Sequence, residues 1–135
     1  MDTYVTLASI AGAAIPQDRA IDGVDQSDFL LGKTNQSRRE GFPVFVADRL
    51  EAVKWRNWKI VFYEEQRDWW SPPLRLGSPK GFDLITDPKE EYPATALRNT
   101  WSAGPAMKIV EQFQQSLKKY PPIAPGTADP YKPQK

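Results

Sequence analysis

Apolar side chains crowd the first stretch of the chain on nearly every side. Between Thr3 and Ala14, the residues Val5, Leu7, Ala8, Ile10 and Ala11 leave little polar surface, and the pattern predicts a short helix. A helix that is apolar nearly all round needs cover on several sides. Little of the chain precedes it, so Val5, Leu7 and Ile10 are expected to be more exposed than such residues usually are. Gly12 and Pro16 predict its end. Gln17 to Lys33 then reads as a loop with an apolar patch at Phe29-Leu30-Leu31, and Gly32 to Gly41 as a polar surface loop.

From Phe42 the period changes to that of strands. Phe42 to Ala47 predicts a strand with Pro43 near its start, where proline is tolerated. Leu50 to Trp55 and Trp58 to Glu64 predict two more. Arg56-Asn57 has the length of a two-residue hairpin loop, with Asn57 the candidate for positive φ. Leu50, Ala52, Trp58, Ile60 and Phe62 alternate with more polar neighbours, as in a sheet with one wet face. Arg67 to Lys80 reads as a long irregular loop, and Phe82 to Ile85 as a short strand. Asp87-Pro88-Lys89-Glu90 carries a helix-start signature, with Asp at the N-cap, Pro at N1 and Glu at N3.

The clearest helix is Ala106 to Tyr120. Met107, Val110, Phe113, Leu117 and Tyr120 line one face and Glu111, Gln114, Gln115 and Lys118 the other. Gly104-Pro105 predicts its start and Pro121-Pro122 its stop. The tail from Ile123 to Lys135 has no period and reads as extended. The sum is an α+β unit: a small antiparallel β-sheet with one long C-terminal helix packed on a face, plus a short N-terminal helix. Val110, Phe113 and Leu117 are expected to lie on a sheet containing Trp55, Trp58 and Ile60.

Composition narrows the function classes. The chain has 135 residues, the size of one domain. Lys+Arg 18 against Asp+Glu 17 leaves no long-range field to gather nucleic acid or an anionic membrane. With no cysteine and no histidine, there is no thiol nucleophile, no imidazole base and no Cys- or His-type metal site. The first residues lack a basic n-region, so no signal peptide is read there, and no stretch approaches the ~20 apolar residues of a membrane span. The polypeptide reads as soluble.

Carboxylate clusters offer little chemistry. Asp22, Asp25 and Asp28 are three apart, whereas a calcium loop needs ligands two apart, a central glycine and a distal glutamate; a solvated turn is the better reading. Asp87, Glu90 and Glu91 are explained by a capped helix start.

Taken in order, several segments resemble the C-terminal end of the type I sulfatases (arylsulfatases). Asp2-Thr3-Tyr4-Val5-Thr6-Leu7-Ala8 with Ala11-Gly12 is similar to a family helix that ends in Ala-Gly, with Val5 where proline is usual. Asp18-Arg19 and Ile21-Asp22-Gly23-Val24-Asp25 resemble a family turn, and Phe29-Leu30-Leu31-Gly32 the segment after it. Val53 to Lys59 resembles the hairpin opening the family's C-terminal sheet, and Phe82 to Glu91 its strand and Asp-Pro turn. Lys119 to Thr127 is similar to the tail of a bacterial arylsulfatase subgroup.

The resemblance implies sulfate ester hydrolysis by a formylglycine made from Cys or Ser, with Ca or Mg held by Asp and Asn. In the family those residues lie upstream of the first helix, so no catalytic residue, metal ligand or cofactor of this chain is implied. Ser71-Pro72-Pro73-Leu74-Arg75 fits the Ser form of the formylglycine motif, but without the supporting constellation it reads as a proline-rich loop. The Trp69-Trp70 pair, with Arg75, can form a wall for an aryl or sugar sulfate, or pack on the sulfatase N-terminal domain, as Trp does where surfaces meet. Arg38-Arg39 can steer a sulfate, although a solvated loop is the safer reading.

The resemblance divides the chain into residues 1–41, a segment of the sulfatase main domain with a linker loop; 42–123, a C-terminal α+β subdomain; and 124–135, an extended tail. It implies a sulfatase N-terminal domain, or self-association, as partner, and a parent that is periplasmic, secreted or sometimes cytoplasmic. A stand-alone module binding a sulfated ligand or a protein is the alternative, and a self-sufficient carboxylate enzyme a third.

Overall fold

Two tight chain reversals, at Ala47 and Arg56, are made by residues other than glycine that take positive φ. The computed structural model describes residues 1–17, 20–66, 68, 70–94, 100–122 and 124–128. Its elements are α1 (Asp2–Ile10), α2 (Ser27–Leu30), β1 (Gly41–Val46), β2 (Arg49–Trp55), β3 (Trp58–Glu64), β4 (Leu74–Asp83) and α3 (Thr100–Lys119). The four strands form one antiparallel sheet in the order β1-β2-β3-β4. One face carries α3, so the α+β architecture holds.

Register explains which strand residues meet the helix. Val53 lies opposite Ile60 and Trp55 opposite Trp58. Directly opposed residues share a face. Ala52, by contrast, lies opposite Val61. A β-bulge between Val44 and Phe45 sets Leu50 rather than Glu51 against Phe45. The bulge inserts one residue into β2 and breaks its alternation. Leu50 and Val53 therefore join the core, while Ala52 turns to the other face; the uniform alternation expected through Leu50, Ala52 and Trp58 fails there. The second face is not simply wet either, because Ala52 and Phe82 are buried on it.

Close approach at β1 lets the helix reach the sheet. The core groups Val53, Ile60, Ala106 and Val110, with Leu50, Trp55, Phe62 and Ile109 packed around it. Ala106 is fully buried and small, so α3 settles near Val53 along a stripe of Ser102, Ala106 and Val110. Val110 packs as expected, and Phe113 stacks at a tilt on Phe45, with ring centroids 5.2 Å apart. Met107, Leu117 and Tyr120 are instead largely exposed. The alanine rotates the buried stripe away from the bulkier residues on which the periodicity centred.

The helix also starts earlier than its proline suggests. α3 begins at Thr100 and contains Pro105. Proline crowds both the backbone N–H and the Cβ of the residue before it, and Gly104 has no Cβ to clash. Trp101 sets its ring edge-on to both Trp55 and Trp58, at 5.8 and 5.5 Å. Those contacts reward the extra turn, and tertiary packing overrides a local stop signal.

Other boundaries moved for physical reasons. β4 extends from Leu74 to Asp83 through Gly77 and Pro79, where an irregular loop to Lys80 was expected. It is an edge strand, and Pro79 falls where its ladder with β3 is interrupted, between the pairs Val61–Lys80 and Tyr63–Arg75, so a missing N–H is tolerated. Asp87 starts no helix: its carboxylate accepts the backbone N–H groups of Glu91 and Tyr92 at 3.0 and 2.8 Å, closing a turn in which Glu90 takes φ 58°. In the β2–β3 hairpin it is Arg56 that takes φ 51°. Asn57 is occupied in bonding Asp83 Oδ1 at 2.8 Å. The short helix α2 replaces part of the expected loop. α1 ends at Ile10, ahead of Gly12 with φ 67°.

Candidate functional site

The N-terminal segment is held together by hydrogen bonds rather than by a core of its own. Asp2, in the first turn of α1, accepts the backbone N–H of Val24 at 3.0 Å and the Nε–H of Arg39 at 2.7 Å. A second Arg39 N–H group bonds the other carboxylate oxygen, and Arg39 also donates to the Asp22 carbonyl. Such a two-pronged guanidinium–carboxylate pair fixes geometry as well as charge. Arg38 pairs with Asp28 and Asp25. Arg38 is exposed, as a solvated loop predicts, although it pairs with carboxylates, whereas Arg39 is largely covered and held by Asp2.

Thr6 and Gln26 complete the link. The Gln26 backbone N–H donates to Thr6 Oγ1 at 3.0 Å, and that hydroxyl donates to the Asp2 carbonyl at 2.8 Å. Gly23 lets the loop approach: a Cβ there would fall 2.5 Å from Val5 Cγ2 and 3.0 Å from the Met1 carbonyl oxygen. Val5 is consequently buried, contrary to expectation, while Leu7 and Ile10 are exposed as expected, at 58% and 48%. Phe29, Leu30 and Leu31 lie exposed on the neighbouring α2 segment. Leu7, Phe29 and Leu30 border one cavity with Gly41 and Phe42 of β1, while α3 packs on β1, β2 and β3.

The clamp has an acid-sensitive member. The Arg39 hydrogen bonds hold the Asp2 carboxyl below its ordinary pKa, against an opposing effect of burial. A depressed folded-state pKa means that the carboxylate contributes stability above its unfolded value and loses it as pH falls through the folded one. Asp2→Asn is therefore expected to lower stability at neutral pH and to flatten the acid limb of the stability profile. Urea unfolding across a pH series reads both changes; an unaltered acid limb would mean that the pair contributes nothing.

The other candidate residues are dispersed. Trp69 lies outside the described residues, as do Asp18 and Arg19 of the family-like turn. Trp70 is exposed. Ser71 Oγ donates to Asp68 Oδ2 at 3.0 Å, within a local turn. Arg75 pairs across the sheet with Tyr63 and lines a groove of about 580 Å³ with Met107 and Gln114. Asp25 accepts from the Ser27 N–H and the Ser9 hydroxyl, and Asp28 from Arg38. Among the described residues no group of three or more acidic side chains is placed to hold a metal ion. The described carboxylates do not fit the Asp/Asn-held dication that the resemblance implies. No described helix is long and apolar enough to cross a membrane.

Sequence reasoning missed the Asp2–Arg39 clamp. Its partners are 37 residues apart, and one sequence carries no signal that joins them. Gly23 was the available hint, since glycine between two turn residues often marks a close backbone approach.

No family model matches the chain. The steryl-sulfatase of Rattus norvegicus is 32% identical over 119 residues, which is 70% of this chain and 20% of that protein. The steryl-sulfatase of Homo sapiens is 26% identical over 97% of this chain and 25% of its own length. Among solved structures, the PsFucS1 sulfatase from Pseudoalteromonas sp. covers 91% of this chain with a TM-score of 0.78 and 28% identity. A Bacteroides thetaiotaomicron sulfatase described with glycosaminoglycan metabolism covers 84%, with a TM-score of 0.61 and 23% identity, and supports the fold alone. The chain spans about a quarter or less of each of these proteins. It matches, in sequence and in fold, the C-terminal portion of the sulfatases, and that is the family to which it belongs.

Proposed function

We propose that the chain acts as the C-terminal structural subdomain of a sulfuric ester hydrolase and contributes no catalytic group of its own. One observation carries the reading: α1 and α2 leave Leu7, Ile10, Phe29, Leu30 and Leu31 exposed, with Leu7, Phe29 and Leu30 bordering one cavity, on a chain that matches a quarter of a solved sulfatase. Contiguous exposed apolar surface marks an interaction site. The remainder of a sulfatase is the partner that suits it, with self-association as the outcome when that partner is absent. In this reading residues 1–41 belong structurally with the larger sulfatase body and 42–123 form the subdomain proper. Trp69 and Trp70, with Arg75, supply a wall near the substrate or at the domain boundary.

The activity test is direct. The purified chain is expected to give no turnover of an aryl sulfate, with or without added Ca²⁺. Metal-dependent hydrolysis that persists through removal of contaminating enzyme would contradict the reading.

A further inference from the structure

The sheet has a second face, and α3 does not cover it. Cross-strand pairing sets Val44, Ala52, Val61 and Lys80 in one row over the four strands, and Lys59 beside Phe82 in another. Successive strand residues alternate between faces, so this face lies opposite the one on which Val53 and Ile60 meet α3. A groove of about 590 Å³ runs over it. The turn that carries Glu90 reaches its Phe82 end, where Glu90 bonds Lys59 at 2.7 Å. At the β1 end the floor stays open, with Val44 partly buried and Val46 48% exposed.

Charge narrows what can lie there. Glu51, Glu64, Glu65, Glu90 and Glu91 line the groove, against Lys59 and Lys80. Arg49, Lys80 and Lys59 hold Glu51, Glu64 and Glu90 respectively. Glu65 and Glu91 close no salt bridge among the described residues. Walls of that sign favour a basic partner and repel a second copy set groove to groove. The chain itself carries a protrusion of the opposite sign. α3 ends in Lys118 and Lys119, which close no salt bridge among the described residues either. Beside them Leu117 and Tyr120 are 37% and 49% exposed. Residues three apart on a helix are neighbours, so Leu117 and Tyr120 form one apolar edge and the lysines leave on either flank of it. α3 lies across the sheet from the groove, so a chain cannot fill its own groove with its own helix.

We propose that the open half of this groove receives the end of α3 from a second copy of the chain, with Leu117 and Tyr120 over Val44 and Val46, and Lys118 and Lys119 against Glu65 and Glu91. Donor and acceptor are different surfaces, so the contact is head-to-tail and joins copies in series unless the rotation closes a ring. The apolar edge supplies contact, and the exposed charges set its register and make it sensitive to screening by salt. The α1–α2 face stays uncovered, and the contact does not depend on what docks there.

Sedimentation velocity of the 135-residue chain, over a series of protein and salt concentrations, tests it. The parent is expected to form larger species as protein concentration rises and to lose them as salt rises. Three variants change only exposed side chains that close no described salt bridge, so each is expected to keep the parent's circular dichroism and unfolding midpoint. Lys118→Glu with Lys119→Glu is expected to stay monomeric, and so is Glu65→Lys with Glu91→Lys. All four changes in one chain restore opposite signs across the contact at the parent's net charge, and self-association is expected to return. A parent that is monomeric throughout, or an association that salt does not weaken, overturns the inference. Association that persists in either double variant also overturns it, and moves the contact to another surface while leaving the subdomain reading standing. Double variants that are monomeric with a fourfold variant that is monomeric too overturn it as well, because the charges then do not face each other.

Discussion

Ile60→Ala is expected to destabilise the chain by about 2–5 kcal/mol. Ile60 is 7% exposed and sits opposite Val53, which is fully buried, beneath Ala106 and Val110 of α3. Truncation removes the apolar contact that joins sheet to helix, and the surrounding backbone is too constrained to close the gap. β3 is held on one side by β2 and on the other by β4, while the helix carries the equally small Ala106 above it. A domain of this size has roughly 5–15 kcal/mol of stability in all, so the loss is a large share. Urea unfolding gives the value, read from a shifted midpoint at unchanged slope. A cost below about 1 kcal/mol, the range of tolerated core swaps, would mean that α3 does not cover this position.

Gly41→Ala is expected to cost at least about 1–3 kcal/mol, as overpacking does, although it adds a single methyl. A Cβ at Gly41 would lie 2.0 Å from the Lys54 carbonyl oxygen and 2.5 Å from Ile109 Cδ1. The isoleucine can swing away. The carbonyl cannot, because β2 is paired on both edges. The first residue of β1 must therefore pull off β2, which also loosens the backbone bond from Arg56 N–H to the Glu40 carbonyl at 2.7 Å. The double variant Gly41→Ala, Ile109→Ala is expected to recover none of the backbone part of this cost. A Gly41→Ala protein as stable as the parent would show that β1 and β2 are further apart than described.

These two positions show how much of the molecule could be read from its residues. The strands β1, β2 and β3 and the body of α3 follow from period and punctuation, and each lies within a residue or two of its expected bounds, apart from the early start of α3. What could not be read is where one element meets another. The bulge that moves Ala52 off the core face depends on how β1 and β2 pair. The extra turn of α3 depends on Trp101 finding Trp55 and Trp58. β4 was hidden by Gly77 and Pro79, residues that argue against a strand unless it lies at an edge.

The candidate site divides in the same way. Leu7 and Ile10 stand out in the sequence on a helix that is apolar nearly all round, and Phe29-Leu30-Leu31 as an apolar patch in a loop. The clamp beneath them does not stand out. Asp2 reads as an ordinary helix start, and Arg39 as one of two basic residues in a polar loop. Only the fold brings Arg39 to Asp2 and Gln26 to Thr6. Val5 was wrongly grouped with the exposed residues because the contact that buries it comes from Gly23, a residue without a side chain.

Native-state hydrogen exchange on the free chain tests most directly whether the N-terminal segment awaits a partner. Buried central strands open only with global unfolding, and weakly packed elements open on their own. The amides of Val53 and Ile60 are expected to exchange at the global free energy, and those of α1 several kcal/mol below it, because α1 packs on α2 and is tied to the rest mainly through Asp2, Thr6 and Val5. Exchange of α1 at the same free energy as β2 and β3 would contradict this, and would mark the chain as a self-sufficient domain with no docking face to fill.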